Sequence, residues 1–194
     1  MPLILASASA SRRAMLEAAG AAFRVQPSSV DEASFKQTHS SDPVALATAL
    51  AEAKALDVSG QHPGTWVIGS DSVAAVGDRM FDKPDSRDEA VRHLKAFSGQ
   101  TLRLVSAVAL SCGQQAQWCH CATARLHVRD LSDEFIAAYL DREWPAVAGC
   151  VGVFRIEAAG VQLFEQIEGD HFTIMGMPLL PLLAALRERS LMPS

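Results

Sequence analysis

The stretch Leu3–Ala19, LILASASASRRAMLEAA, constrains the fold more than any other. Leu3, Ile4 and Leu5 read as a short buried strand, and Ser7, Ser9 and Ser11 follow on alternate positions. Arg12 and Arg13 then open a helix whose apolar face is Met15, Leu16 and Ala19. A strand that runs through small hydroxyl residues into a helix start leaves backbone N–H groups unsatisfied at one spot, and the helix dipole makes that spot favourable for an anion. Two guanidiniums add charge and fork-shaped donors. Two readings follow: a phosphate cradle, or an ordinary strand–turn–helix with a solvated arginine pair. No G-x-x-x-x-G-K-[ST] motif is present, so the cradle is not a P-loop.

Length and composition bound the rest. The 194 residues suit one domain or two small lobes, with 49% apolar and 20% charged residues, the balance of a globular chain. A net charge of −5 argues against a general nucleic-acid binder. Four cysteines, Cys112, Cys119, Cys121 and Cys150, are too few and too scattered for a secreted disulfide scaffold. No basic-then-apolar leader precedes Leu3 and no apolar run reaches membrane-spanning length, so a cytoplasmic, soluble chain with no membrane partner is expected.

Along the chain, Ala22–Val25 reads as a strand leading into a loop that carries Asp31 and Glu32. Paired acids in a loop are either a solvated turn or hard oxygen ligands for a divalent cation. Asp42 caps a helix with Pro43 at its first position, running to about Val58. Lys54 interrupts its apolar second half, either snorkelling to water or reaching a phosphate.

Thr65–Val76 reads as a strand, turned by Gly77–Asp78 into Arg79–Phe81. Asp71 is the anomaly there, because aspartate is depleted in strands and a buried acid needs a partner or a role. Lys83 precedes Pro84 and is held extended. Ser86 with Glu89 signs a capping box for a helix Arg87–Phe97. Thr101–Ser111 and Gln115–Val128 read as a long hairpin turned at Gly113.

Within the hairpin's second strand, Cys119 and Cys121 share a face and His120 points away, so the three cannot converge on zinc. Ser132 caps a helix Asp133–Arg142. Glu143–Gly152 reads as irregular, Val153–Ile156 and Val161–Ile167 as strands, and Glu168–Asp170 as a turn. Gly176–Met177–Pro178 opens a last helix that buries Leu179, Leu182, Leu183 and Leu186. Interleaved helices and hairpin-joined strands give an α/β fold with a mixed sheet. A serine or cysteine hydrolase is disfavoured, since there is no G-x-S-x-G elbow and Cys150 has no evident histidine partner.

These residues, taken in order, resemble the Maf family of nucleoside triphosphate pyrophosphatases over nearly the whole length. The matching pieces are Leu3–Ala6 with Ser7, Ser9, Arg12 and Arg13; Asp31–Glu32; Leu50–Ala51 with Lys54–Ala55; Ile68–Asp71; Lys83–Pro84; Ser98–Gly99; Ala148–Gly149; Ile167–Asp170; and Gly176–Leu179. The resemblance implies a single domain over residues 1–194, an elongated mixed sheet with flanking helices in two lobes around a deep cleft, and a homodimer. It implies hydrolysis of a nucleotide between the α and β phosphates with Mg²⁺ or Mn²⁺.

On that pattern Asp71 is the general base, and Arg12 and Lys83 stabilise phosphate charge. Ser7, Ser9, Arg13, Lys54, Ser11, Ser72 and Glu157 line the substrate, while Glu32, Asp31 and Asp71 hold the metal. Arg12, as a helix-start residue, is expected to carry little core packing.

The chain departs from the dTTP/UTP branch, which has threonine at the Ser72 position, glutamine at the Glu157 position and a histidine after the Ser-Gly pair, where Gln100 stands here. Ser29 replaces the first acid of the usual acidic stretch, and Ser9–Ala10–Ser11 replaces a serine–proline–aromatic or serine–proline–arginine run. Glu157 followed by Leu163–Phe164–Glu165 is closer to the 7-methyl-GTP branch. The alternatives are a dTTP/UTP pyrophosphatase and a non-catalytic nucleotide-binding regulator of cell division.

Overall fold

A computed structural model gives the fold; it describes residues 3–39 and 41–193. The chain divides into two compact units, one of Met1–Ser72, Val105–Ala122 and Asp170–Ser194, the other of Val73–Leu104 and Thr123–Gly169. Its strands form one seven-stranded mixed sheet in the order β2-β1-β3-β5-β6-β7, with β4 paired to β3.

In the first unit β1 (Leu3–Leu5) is wholly buried and lies parallel to both β2 (Arg24–Val25) and β3 (Trp66–Val76). Leu5 pairs with Ile68, and the Ala6 N–H donates to the Ile68 carbonyl at 2.8 Å. Burial on both faces explains why β1 is an unbroken apolar run. Helix α1 (Ala10–Ala18) and helix α7 (Leu179–Glu188) pack on one face, where Met15, Leu16, Leu182 and Leu186 meet Leu3, Leu5 and Ile68.

Between β2 and β3 lie α2 (Glu32–Thr38) and α3 (Pro43–Gln61), and α3 covers the other face of the sheet. There Gly69 permits close approach: a Cβ on it would collide with the Ala51 carbonyl oxygen and sit 2.6 Å from the Ala55 nitrogen. The period of two along β3 therefore turns Ile68, Ser70 and Ser72 toward α1 and α7, and Gly69 and Asp71 toward α3.

In the second unit β4 (Arg79–Phe81) pairs antiparallel with the end of β3. Helix α4 (Arg87–Phe97) presents His93 and Phe97 to Phe81, whose ring centroid is 4.7 Å from that of Phe97. The Ser86 hydroxyl caps α4, and the Glu89 carboxylate reaches back to the Asp85 N–H rather than to Ser86. Strands β5 (Thr101–Cys112) and β6 (Gln115–Val128) contribute to both units. Their turn is made by Gly113 and Gln114, both with positive φ, the conformation that suits a tight hairpin. Helix α5 (Asp133–Glu143) is capped by Ser132, and β7 (Phe164–Glu168) pairs antiparallel with β6.

Three sequence expectations are corrected. Asp31 and Glu32 do not sit together in a loop: Asp31 caps α2 through the Ala33 N–H at 3.1 Å and Glu32 is its first residue, and the helix has no buried residue, so no apolar period announced it. Val153–Ile156 is not a strand. Val153 has φ 55°, and its carbonyl accepts from the Tyr139 hydroxyl at 2.9 Å. The chain then folds so tightly on itself that a Cβ on Gly160 would lie 2.5 Å from the Arg155 carbonyl oxygen. The next segment, Ala159–Leu163, is a 3₁₀ turn, which leaves β7 only Phe164–Glu168. A short helix α6 (His171–Ile174), capped by Asp170 and covered by no sequence expectation, precedes Gly176.

Candidate active site

The site grows from the alternation along β3. Asp71 sits in mid-strand, only 8% exposed. On the α3 side its Oδ1 accepts from Lys54 Nζ at 2.6 Å, and the same Nζ lies 2.6 Å from Glu32 Oε1. The side chains of Lys54 and Asp71 are each 11% exposed, that of Glu32 41%. Two carboxylates from different elements thus converge on one ammonium. Lys54 is brought there by the close α3–β3 approach at Gly69, and Glu32 by the start of α2.

The opposite side of β3 is locked by Arg12, which is 9% exposed. Its Nε donates to the Gly176 carbonyl at 2.9 Å, one terminal nitrogen to the Ser70 carbonyl at 2.8 Å and to Ser7 Oγ at 3.3 Å, and the other to Ser72 Oγ at 3.0 Å. Ser72 Oγ lies 2.9 Å from Ser106 Oγ, which in turn donates to the Thr173 carbonyl at 2.9 Å. Asp170 fixes that turn through the Thr173 N–H at 2.8 Å.

Burial pulls the Arg12 guanidinium below its ordinary pKa, and the carboxylates of Asp71 and Glu32 oppose the shift. The expectation that Arg12 carries little packing is therefore wrong. It is a buried clamp that ties α1 to β3 and to the turn before α7.

The other expected site residues divide. Ser9 caps α1, accepting from the Arg12 N–H at 3.4 Å, and its hydroxyl lies 3.0 Å from that of Ser11. Ser7 accepts from the Ser9 N–H at 3.2 Å. Arg13, one helix step from Arg12, is exposed and pairs with Glu17 at 3.4 Å. Asp31 spends its carboxylate as the α2 cap and does not join Glu32 and Asp71; no group of three or more His, Cys, Asp or Glu gathers at a common point among the described residues. Lys83 and Glu157 belong to the second unit, both exposed, Lys83 before buried Pro84 and Glu157 in the turn after Arg155.

Sequence reasoning missed the parts played by Gly176, Ser106 and Thr173. The Asp170-x-x-Thr173 spacing is a cap signature that could have flagged that turn. The Ser106 hydroxyl carries no signal in sequence, since it lies inside an apolar strand.

Cys119 and Cys121 face α3. Burial pushes the Cys121 thiol up, an effect Thr48 opposes, and pushes the Cys119 thiol up to about 11, which suits packing rather than reactivity. An apolar hollow of about 450 Å³ between Met15, Ala18, Phe172, Met175 and Leu180 has no charged lining and contains none of the site residues.

Chemically, the cluster holds a carboxylate in fixed orientation beside an ammonium, next to a helix start and a buried guanidinium. That is the equipment of an α/β enzyme acting on phosphate anhydrides. The family model described as "Maf-like protein" matches residues 2–189, and the chain belongs to the Maf-like family. It is 45% identical over 189 residues to a 7-methyl-GTP pyrophosphatase of Rhizobium etli, covering 96% of this chain and 95% of that protein. It is also 45% identical over 198 residues, covering all of both chains, to a nucleoside triphosphate pyrophosphatase of Sphingopyxis alaskensis. A 7-methyl-GTP pyrophosphatase of Brucella suis is 44% identical over 188 residues, 95% of this chain and 94% of that one.

Proposed function

We propose that this protein is a nucleoside triphosphate pyrophosphatase that prefers 7-methyl-GTP or a related guanine-type triphosphate. Water attacks at the α phosphorus, the α–β anhydride bond breaks, and the products are nucleoside monophosphate and pyrophosphate. The observation that carries the reading is Asp71, buried in mid-strand with its carboxylate fixed by Lys54 at 2.6 Å. The names of the similar proteins support the same chemistry.

Asp71 accepts the proton of the attacking water, its carboxylate aimed from a buried mid-strand position. Glu32 and Asp71 form a hard-oxygen pair already converging on a positive charge, which fits Mg²⁺ or Mn²⁺. The divalent ion, when bound, neutralises phosphate oxygens and steadies the leaving pyrophosphate. Arg12 acts by holding Ser70, Ser72 and Gly176, and so the strand that aims Asp71. Ser7, Ser9 and Ser11 at the start of α1, with Arg13, supply donors to the triphosphate. Lys83 provides a second cation and Glu157 reads the base; these two assignments rest on the family pattern.

Four free cysteines accord with a reducing cytoplasm, and no helix among the described residues is long and apolar enough to cross a membrane. A homodimer is part of the same reading.

Product analysis tests it. Purified protein with Mn²⁺ and a triphosphate should release pyrophosphate and monophosphate in equal amounts. Release of orthophosphate and diphosphate, or tight binding with no turnover, would contradict it, and the second result would favour a nucleotide-binding regulator.

A further inference from the structure

Lys54 does more in this structure than a phosphate ligand needs to do. Its Nζ is 2.6 Å from Asp71 Oδ1 and 2.6 Å from Glu32 Oε1, with little exposure, and it comes from a helix pressed against β3 at Gly69. A divalent cation drawn to the same two carboxylates would meet this ammonium at close range. Arg12, buried behind the strand, is electrostatically coupled to both acids and places a second positive charge nearby. A divalent ion arriving alone sets its charge directly against the Lys54 ammonium, whose side chain is only 11% exposed, so the like charges repel. An ion arriving on a triphosphate brings negative charge with it, and offers Lys54 phosphate oxygens in exchange for the carboxylates it gives up.

We propose that Lys54 is a built-in counter-cation: it holds the metal position of Glu32 and Asp71 closed to free divalent ions, and releases it only to a metal–triphosphate complex. The inference rests on the metal assignment in the functional reading above. It adds an order of binding, since metal and nucleotide must then favour each other's binding by the same factor. It also gives Lys54 two partners in turn: carboxylates in the resting enzyme and phosphate in the loaded one.

The test is Mn²⁺ binding to the nucleotide-free protein, read by electron paramagnetic resonance, for the unsubstituted chain and for Lys54→Met and Lys54→Gln. Removing the ammonium should tighten Mn²⁺ binding by about tenfold or more. If Lys54 were only a phosphate ligand, the substitution would leave Mn²⁺ affinity unchanged; if Lys54 were only structural, it would weaken it. Either result, in folded variants, overturns the proposal. Should both variants fail to fold in chelator, the proposal requires Mn²⁺ to restore folding by taking the ammonium's place, and failure to do so also overturns it. Pyrophosphate release plays no part in this measurement. A chain that hydrolyses no triphosphate yet shows the gain would keep this inference and lose the functional reading, and the reverse result would do the opposite.

Discussion

Arg12 Nε donates to the carbonyl of Gly176 at 2.9 Å, joining residues 164 apart in sequence. The same guanidinium holds the Ser70 carbonyl and the Ser72 hydroxyl, so one side chain fixes both neighbours of Asp71. Arg12→Ala removes the guanidinium donors from the Ser70 and Gly176 carbonyls, although the Ser70 and Ser72 hydroxyls still reach Gly176 at 3.2 and 3.1 Å. A buried group that loses its donor costs about 1–3 kcal/mol, so the variant should lose about 2 kcal/mol in urea unfolding. Arg12→Lys should recover only part of this, because one ammonium cannot span partners arranged around a planar fork. A variant of unchanged stability would return Arg12 to the role of a solvated helix-start cation.

Asp71→Asn keeps the shape of the side chain and removes the proton acceptor. Turnover should fall by roughly 10²–10⁴, the size of a general-base contribution, while binding of a non-hydrolysable triphosphate measured without metal persists. Pyrophosphate release near that of the unsubstituted enzyme would exclude Asp71 as the base.

Gly69→Ala tests the approach that brings Lys54 to Asp71. The added methyl would meet the backbone of Ala51 and Ala55, which cannot give way without moving α3. Overpacking of this kind costs about 1–3 kcal/mol, and here it should also lower activity by separating Lys54 from Asp71. Wild-type melting temperature and activity together would show that the helix accommodates the methyl freely.

His93 gives the fold a pH dependence. Burial pulls its pKa below the ordinary value of 6.5; Glu89 and Asp82 oppose the shift, and Arg79 and Arg92 reinforce it. Its Nδ1 has no hydrogen-bond partner among the described residues, and its ring packs edge-on to Phe81 at 5.2 Å. The fold therefore favours neutral imidazole. Its contribution is full above the unfolded pKa and is lost as pH falls through that value toward the lower folded one. Melting temperature should drop between about pH 7 and pH 5 by more than it does in His93→Phe. Equal slopes for the two proteins would remove His93 from the acid response.

Much of this was legible in the sequence because local chemistry and global fold agree. The β1–α1 unit, the Asp42–Pro43 start of α3, the Ser86 and Ser132 caps and the β5–β6 hairpin all announce themselves through caps, turns and apolar period. Asp71 stood out because it broke the rule for its strand. The rest was hidden for physical reasons. Helix α2 buries nothing, so it has no stripe to read. Val153–Ile156 has the β-branched and aromatic residues of a strand, but tertiary contacts bend it away from one. The Arg12 clamp and the Lys54 bridge depend on partners 58 to 164 and 17 to 22 residues away, distances at which spacing carries no information.

On the proposed reading, base preference turns on Glu157. An ionised carboxylate only accepts hydrogen bonds, and the guanine edge offers it two donors, the ring N–H and the exocyclic amine. The positive charge of a 7-methylated ring strengthens that pairing. A pyrimidine carbonyl set against the carboxylate leaves two acceptors unpaired, at a cost of about 1–3 kcal/mol. The most direct measurement is pyrophosphate release from 7-methyl-GTP, GTP, dTTP and UTP in turn, with Mn²⁺, by the unsubstituted enzyme and by Glu157→Gln. The account predicts kcat/KM for 7-methyl-GTP at least about tenfold above dTTP and UTP, with the gap narrowed or reversed in Glu157→Gln. Efficient cleavage of dTTP and UTP with 7-methyl-GTP and GTP left intact would contradict it.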